Sequence, residues 1–496
     1  LSDVRYPSPQ PSPRSPQPQP PPGAAGFAGR RITVAGLGVS GLSAARALAG
    51  LGAAVTVVDG GDGPAQRERA GQLAAEGIGT RLGDGDTLPA GTELVVTSPG
   101  WRPDSPLFAA AAAAGAEVIG DVEVAWRLRR PGPDGRPAAP WLAVTGTNGK
   151  TTTTAMLASI LRAAGLRTAA VGNIGTPIVD VVLAEDRYDV LAVELSSFQL
   201  HWAPGLRVHS GAVLNLAPDH LDWHGSMAAY AADKGRVYHG NQVACVYNAD
   251  DPVTEELVRA ADVEEGCRAI GFTLSAPGPS ELGVVEGLLV DRAFVQDRRR
   301  TARELAEVSD VRPAAPHNIA NALAAAALAR AYGVPPAAVR DGLRAFRPDA
   351  HRIDLVAEVA GVSYVDDSKA TNTHAARASL AAYAPVVWIA GGLAKGAVFD
   401  ELVRESAGRL RGAVLIGKDR HLIAEALARH APDVPVADLE RTDTGAMAEA
   451  VRAAARLAGP GDTVLLAPAC ASMDMFTDYK QRGDAFAAAV RELATG

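Results

Sequence analysis

The stretch Trp141-Leu-Ala-Val-Thr-Gly-Thr-Asn-Gly-Lys-Thr-Thr152 decides the fold. Residues 141 to 145 predict a buried strand, Gly146-Thr-Asn-Gly149 a turn, and a helix is expected from Thr152 to Ala164. A strand, a glycine-containing loop and a helix N-terminus in that order make a phosphate cradle. Backbone NH groups and the helix end face the anion, Lys150 neutralises its β and γ oxygens, and the Thr151 hydroxyl reaches Mg2+. Gly146, Thr147, Asn148, Gly149, Lys150, Thr151 and Thr152 are therefore the candidate ATP loop. Val144 occupies the place of the first glycine in the usual nucleotide-loop spacing, so a plain tight turn is the rival reading of this stretch taken alone.

Downstream, strands are expected at 190–194, 211–214 and 243–246, a β-hairpin over 283–295 turning at Asp291-Arg292, and helices over 318–332 and 337–346. Glu194 and His220 each close a predicted strand on the edge that carries the phosphate loop. Mg2+ prefers oxygen ligands with an occasional imidazole, which makes the pair candidate metal ligands.

Upstream, a strand over 31–35, the turn Gly36-Leu-Gly-Val-Ser-Gly41, an Ala-rich helix to Leu51, and a strand over 54–58 ending at Asp59 follow the order of a dinucleotide-binding unit. Gly38, Val39 and Ser40 would meet a diphosphate, either of a dinucleotide or of a phosphosugar nucleotide, and Asp59 a ribose hydroxyl or base NH. Further strands are expected at 95–99 and 117–119, and residues 130–140 read as a linker. Past residue 350, strands at 363–365, 386–390, 413–416 and 463–466 alternate with helices and predict a second open parallel sheet. The chain is thus expected to be α/β, with a disordered Pro-rich tail (1–26) followed by three domains: a Rossmann-like domain (27–135), a central P-loop ATPase-type domain (136–350) and a Rossmann-like C-terminal domain (351–496).

Composition narrows the class. Of 496 residues, 47% are hydrophobic and 21% charged, as in an ordinary soluble enzyme. A net charge of −8 argues against a nucleic-acid partner. No apolar run is long enough for a membrane span. Three cysteines, scattered in sequence, fit a reducing cytoplasm better than a disulfide framework. Only six of 48 basic residues are lysine, and Lys150, Lys234, Lys369 and Lys395 sit in motifs. Lysine offers a compact charge and an amine that can deprotonate and react, which guanidinium does not.

Together these motifs, with Thr97-Ser-Pro-Gly100, Gly172-Asn-Ile-Gly175, Glu194-Leu-Ser-Ser-Phe-Gln-Leu200, Asp219-His-Leu-Asp222, His351-Arg352, Asp367-Ser-Lys-Ala-Thr-Asn372 and Pro468-Ala-Cys-Ala-Ser-Met-Asp-Met-Phe476, resemble the Mur ligase family from about Phe27 to Leu493. The resemblance is to the branch that adds D-glutamate to UDP-N-acetylmuramoyl-L-alanine. It implies an ATP- and Mg2+-dependent ligase of cytoplasmic peptidoglycan precursor synthesis, a monomer, working through an acyl phosphate. A relative adding another amino acid, such as L-glutamate, is the alternative, and a dinucleotide oxidoreductase a more distant one.

Carried onto this chain, the resemblance assigns Thr151 and Glu194 to one Mg2+ and His220 to another, with Lys234 as a CO2-derived carbamate at the second metal. Asn173, Ser98, Pro99 and Gly100 would hold the UDP-substrate. Asn318, Asn321, His351, Arg352, Asp367 and Lys369 would border ATP, and Thr371, Lys395, Ser472 and Tyr479 would receive the amino acid. It also implies closure of the third domain over ATP about a hinge at 347–352.

Overall fold

The computed structural model describes residues 26–131, 135, 137–184, 188–347 and 351–495. The expected tail, apart from its last residue, lies outside them, as do parts of the linker and of the expected hinge. Three sheets with helices around them form a three-domain α/β fold, divided between two compact units.

The first unit comprises Leu1–Ala139, Thr176–Asp186 and Phe198–Leu206. Its strands are β1 (Arg31–Ala35), β2 (Ala54–Asp59), β3 (Gly79–Leu82), β4 (Leu94–Thr97) and β5 (Glu117–Gly120), all parallel in the order β3-β2-β1-β4-β5. β1 and β4 are buried almost throughout and are mostly apolar, with the buried hydroxyls of Thr33 and Thr97 as exceptions, as suits central parallel strands. Strand order reverses between β1 and β4, so the turns after Ala35 and Thr97 open onto a common crevice. Gly41 lets the Val39–Gly50 helix start against that turn, since a Cβ there would lie 1.9 Å from the Gly36 carbonyl oxygen.

The second unit carries the other two sheets. The central sheet consists of β6 (Trp141–Thr145), β7 (Ala170–Gly172), β8 (Leu191–Glu194), β9 (Ser210–Val213), β10 (Ala244–Asn248), β11 (Arg268–Phe272), β12 (Glu281–Val285), β13 (Leu288–Asp291) and β14 (Arg303–Glu307). β6 lies between β9 and β8, which brings Thr145, Val213 and Glu194 to one carboxyl edge. The sheet turns antiparallel at β12, β13 and β14. Their first hairpin corrects the expected turn: the chain reverses at Glu286-Gly287, both at positive φ (50° and 80°), and not at Asp291-Arg292. A two-residue turn of that conformation matches strand twist and favours glycine at its second position. Asp291 instead ends β13, its carboxylate accepting from the Ala293 and Phe294 NH groups and pairing with Arg330 at 2.9 Å. The helices Lys150–Ala163 and Pro336–Ala345 meet where a Cβ on Gly342 would lie 2.4 Å from the Ile160 Cα.

The third sheet contains β15 (Asp354–Val359), β16 (Val362–Asp366), β17 (Val386–Gly391), β18 (Leu410–Ile416), β19 (Val436–Asp438) and β20 (Thr463–Leu466), in the order β15-β16-β20-β17-β18-β19. It is parallel as expected except for β15, which pairs antiparallel with β16 at the edge. Alternate residues feed two cores, Trp388 and Leu415 on one side, Ile389 and Val414 on the other, so both faces are covered. The cysteines are free, and two that are distant in sequence are neighbours in space, Cys245 and Cys267 with sulfurs 3.9 Å apart.

Candidate active site

The strand, glycine turn and helix of the candidate phosphate loop are formed by Trp141–Thr145, residues 146–149 and Lys150–Ala163. Gly146 (φ 149°) and Gly149 (φ 82°) supply the left-handed turns, and the helix Lys150–Ala163 starts directly after them. A Cβ on Gly149 would lie 2.4 Å from Asn321 Oδ1, which fixes Asn321 against the loop and Asn318 beside it, 3.3 Å from the Asn321 amide. The loop is pinned from β9: Thr147 N donates to Asn215 O at 3.0 Å, Asn148 N to Asn215 Oδ1 at 2.9 Å, and Asn215 Nδ2 back to Asn148 O at 3.1 Å. Asn215 was not among the expected site residues, although it directly follows a strand on the loop's edge. Thr151 and Thr152 sit in the helix's first turn, part-buried.

Two amines converge on one carbonyl. Lys150 Nζ donates to Gly146 O at 2.9 Å and Thr147 O at 2.8 Å, and Lys234 Nζ donates to the same Gly146 O at 2.8 Å. Lys234 is 2% exposed, its amine 4.6 Å from the Tyr230 ring centroid. Burial, reinforced by the charge of Lys150, pushes the Lys234 amine well below the ordinary lysine range. Burial also lowers Lys150, opposed by the charges of Glu194 and Asp219.

Glu194, 1% exposed, ends β8 beside this pair. Asn173 holds it twice, with its NH on the Glu194 carbonyl and its Nδ2 on Oε1, each at 2.9 Å. Glu194 Oε2 is buried without a hydrogen-bond partner. An unsatisfied buried carboxylate oxygen within electrostatic reach of the loop's Lys150 fits an oxygen-seeking cation. His220 stands apart on an exposed left-handed turn (φ 53°), within electrostatic reach of Lys150 and Lys234. Among the described residues no three His, Cys, Asp or Glu side chains gather tightly enough to hold a metal by themselves.

The third sheet brings a second cluster to the loop. The charge of Arg352 acts on Lys150, Asp367 and Lys369, and that of Glu194 on Lys369. Burial pushes Asp367 up to about 6, against a hydrogen bond from Ser379, and Lys369 down to about 8, its amine 3.9 Å from the Tyr479 ring centroid. Thr371 N donates to Lys369 O at 2.8 Å, and the Leu393–Ala471 bridge sets Lys395 and Ser472 on neighbouring turns. His351 faces inward: its Nδ1 lies 2.7 Å from Asp366, and Asp366 also accepts from Ser368 N.

Arg482, 1% exposed, was not foreseen. Its guanidinium donates to Ser368 Oγ, Ser368 O and Cys470 O at 3.0, 2.8 and 3.1 Å, tying the turn of Lys369 to that of Ser472, and burial pushes it down to about 10. Arg482→Met leaves two buried carbonyls without that donor, each costing about 1–3 kcal/mol. Thermal unfolding is expected to show a Tm lower by about 5–10 °C; an unchanged Tm would refute the tie.

His317 supplies a pH signature. Burial pushes its imidazole from 6.5 down to about 4. Between those values the unfolded chain binds a proton that the folded one refuses, so stability falls as pH drops through that window. His317→Gln is expected to flatten that part of the Tm-against-pH curve, and parallel curves would contradict it.

In the first unit Gly38, Val39, Ser40, Asp59, Ser98, Pro99 and Gly100 gather on the turns after β1, β2 and β4, while Asn173 belongs to the second unit. Asp59 holds its own turns, accepting from Leu37 N at 2.7 Å and Gly61 N at 2.8 Å. Ser98 Oγ and Asp121 Oδ1 are buried there without hydrogen-bond partners.

Residues 30–120 match the Mur ligase MurD-like N-terminal domain, 144–329 the Mur ligase middle domain and 351–470 the Mur ligase glutamate ligase domain. UDP-N-acetylmuramoylalanine--D-glutamate ligase of Streptomyces coelicolor is 75% identical, over 94% of this chain and 99% of its own length. The protein of that name from Thermobifida fusca is 62% identical over 94% and 99%. Among solved structures, UDP-N-acetylmuramate-alanine ligase of Thermotoga maritima aligns with a TM-score of 0.54 at 19% identity, over 93% of this chain and 99% of that one. A MurF ligase from Thermotoga maritima in complex with ADP aligns at 0.56 and 14%, over 89% and 96%. Matches to all three domains, near-full-length relatives and a pinned phosphate loop agree: the chain belongs to the Mur ligase family.

Proposed function

We propose that this chain joins D-glutamate to the carboxylate of UDP-N-acetylmuramoyl-L-alanine at the expense of ATP, in cytoplasmic peptidoglycan precursor synthesis. The observation that carries the reading is 75% identity across nearly the whole length of a relative bearing that activity's name. The reading places it in the cytoplasm as a monomer; no helix among the described residues is long and apolar enough to cross a membrane.

In the proposed reaction the substrate carboxylate attacks the γ-phosphorus, the bond to the ADP oxygen breaks, and an acyl phosphate forms. The glutamate nitrogen then adds to that carbonyl and loses a proton, and phosphate leaves. Thr151 and Glu194 Oε2 would hold one Mg2+, and His220 with Lys234 as its carbamate the other. Bound Mg2+ supplies neutralisation of the phosphate charge.

The rest is done by side chains. Lys150 turns from the Gly146 and Thr147 carbonyls onto the γ-phosphate, where its compact charge offsets what develops during transfer. Asn215 holds the loop NH groups at fixed spacing. Asn318 and Asn321 border the nucleotide with Arg352, Asp367 and Lys369, while His351 shapes that wall from within through Asp366. Thr371, Lys395, Ser472 and Tyr479 receive the amino acid's carboxylates. Gly38, Val39, Ser40, Asp59, Ser98, Pro99, Gly100 and Asn173 serve the UDP-substrate.

The test is ADP and phosphate release by the purified protein with Mg-ATP and UDP-N-acetylmuramoyl-L-alanine, given D- or L-glutamate in parallel. Turnover with D-glutamate alone supports the reading. Turnover with L-glutamate, or with neither, overturns it.

A further inference from the structure

The loop after β16 and the helix Thr373–Ala381 form one stiff piece. Asn372 caps the helix by accepting from Ala375 N at 2.8 Å, Ala370 N donates to Asp367 O at 2.8 Å, and Ser379 hydrogen-bonds the Asp367 carboxylate from within the helix. Lys369 and Thr371 are carried on this piece.

From the helix's first turn His374 reaches the phosphate loop, its Nδ1 2.8 Å from Asn148 Nδ2. Asn148 is itself clamped at NH and carbonyl by Asn215. An amide nitrogen donates, so the imidazole Nδ1 must accept, which requires the neutral ring. Burial, then the charge of Arg377 on the same helix, holds His374 below the ordinary histidine range, while Asp251 from outside that helix acts in the opposite sense.

We propose that His374 is a positioning residue, which by accepting from Asn148 sets the amino-acid-binding segment in register with the phosphate loop. The proposal rests on the ligase reading above. Phosphoryl transfer to a carboxylate oxygen happens at the loop and amine attack on the adjoining carbon at the segment, so both act on the same substrate carboxyl group. A displacement of about 1 Å between the two costs on the order of a hundredfold in rate. ATP binding depends less on the contact than turnover does, because Asn215 shapes the loop without it, although Asp367 and Lys369 on the same piece border the nucleotide.

His374→Leu removes the acceptor, whereas His374→Asn keeps one where Nδ1 stood. The Leu variant is expected to lose about 10- to 100-fold in kcat with a raised KM for D-glutamate, a change in the Kd for ATP alone well short of that loss, and partial recovery in the Asn variant. Kinetics within twofold of the parent, or a loss carried by ATP Kd, overturn the proposal. Should the Leu variant fail to fold, His374→Gln replaces it; Gln places its acceptor where Nε2 stood, so the proposal then requires Asn to outperform Gln. Hydrogen exchange in residues 146–150 without ligands separates this inference from the ligase reading. Faster exchange in the Leu or Gln variant supports the contact even if the parent turns over no glutamate, and unchanged exchange overturns it.

Discussion

Lys150→Met is expected to lower kcat by about a thousandfold or more while leaving the fold intact, a loss of about 4 kcal/mol in transition-state stabilisation. Phosphoryl transfer asks the protein chiefly for positioning and charge neutralisation. Lys150 is the cation that the helix start presents to the loop, held on the Gly146 and Thr147 carbonyls. Methionine keeps the apolar stem and removes the charge, so Tm should move little. The loss should fall on kcat more than on the KM for the UDP-substrate, whose expected contacts lie elsewhere. Arginine is no rescue, because its planar fork is longer and does not place a compact point charge where the lysine amine meets the phosphate. A variant retaining a tenth of parental kcat would show that the lysine is a loop brace and remove it from the chemistry.

The phosphate loop was legible because each of its parts is local: an apolar strand, glycines at φ values other residues avoid, and a lysine at the helix start. The two outer sheets were legible for the same reason, since continuous apolar strands between Ala-rich helices announce buried parallel sheets. Short, half-exposed edge strands such as β3 carry no such signal, and the turn at Glu286-Gly287 falls inside the apolar run 284–290, which reads locally as one strand reaching Asp291.

The site divides the same way. Glu194 and Asn173 stood in separate motifs, but their double hydrogen bond joins residues 21 apart in sequence. Arg482 reaches Ser368 across 114 residues, and His374 reaches Asn148 across 226. A chain read locally shows which groups are unusual, and the fold shows which of them meet.

The lysine scarcity finds its sharpest use at Lys234, where the second large effect is expected. Lys234→Arg should lose activity by at least about a hundredfold, and the parent should incorporate labelled CO2 where the variant does not. Lys234 and Lys150 share one carbonyl acceptor, and two ammonium groups at that spacing repel. Burial adds to the repulsion, so Lys234 gives up its proton more readily than an ordinary lysine. A neutral amine is a nucleophile: its nitrogen attacks the carbon of CO2, one proton leaves, and the product is an N-carboxylate of charge −1. That change replaces a repulsion with Lys150 by an attraction, while the remaining N–H can still donate to the Gly146 carbonyl. It also supplies two oxygens of the kind that Mg2+ prefers as ligands. Arginine stays protonated and cannot form the adduct. The measurement is a carbonyl resonance from protein equilibrated with 13C-bicarbonate, compared between parent and Lys234→Arg, with turnover followed before and after CO2 removal. A resonance in the parent alone, and activity that falls without CO2 and returns with bicarbonate, are the expected results. A parent with no resonance and full CO2-free activity would leave Lys234 as a buried amine that braces Gly146.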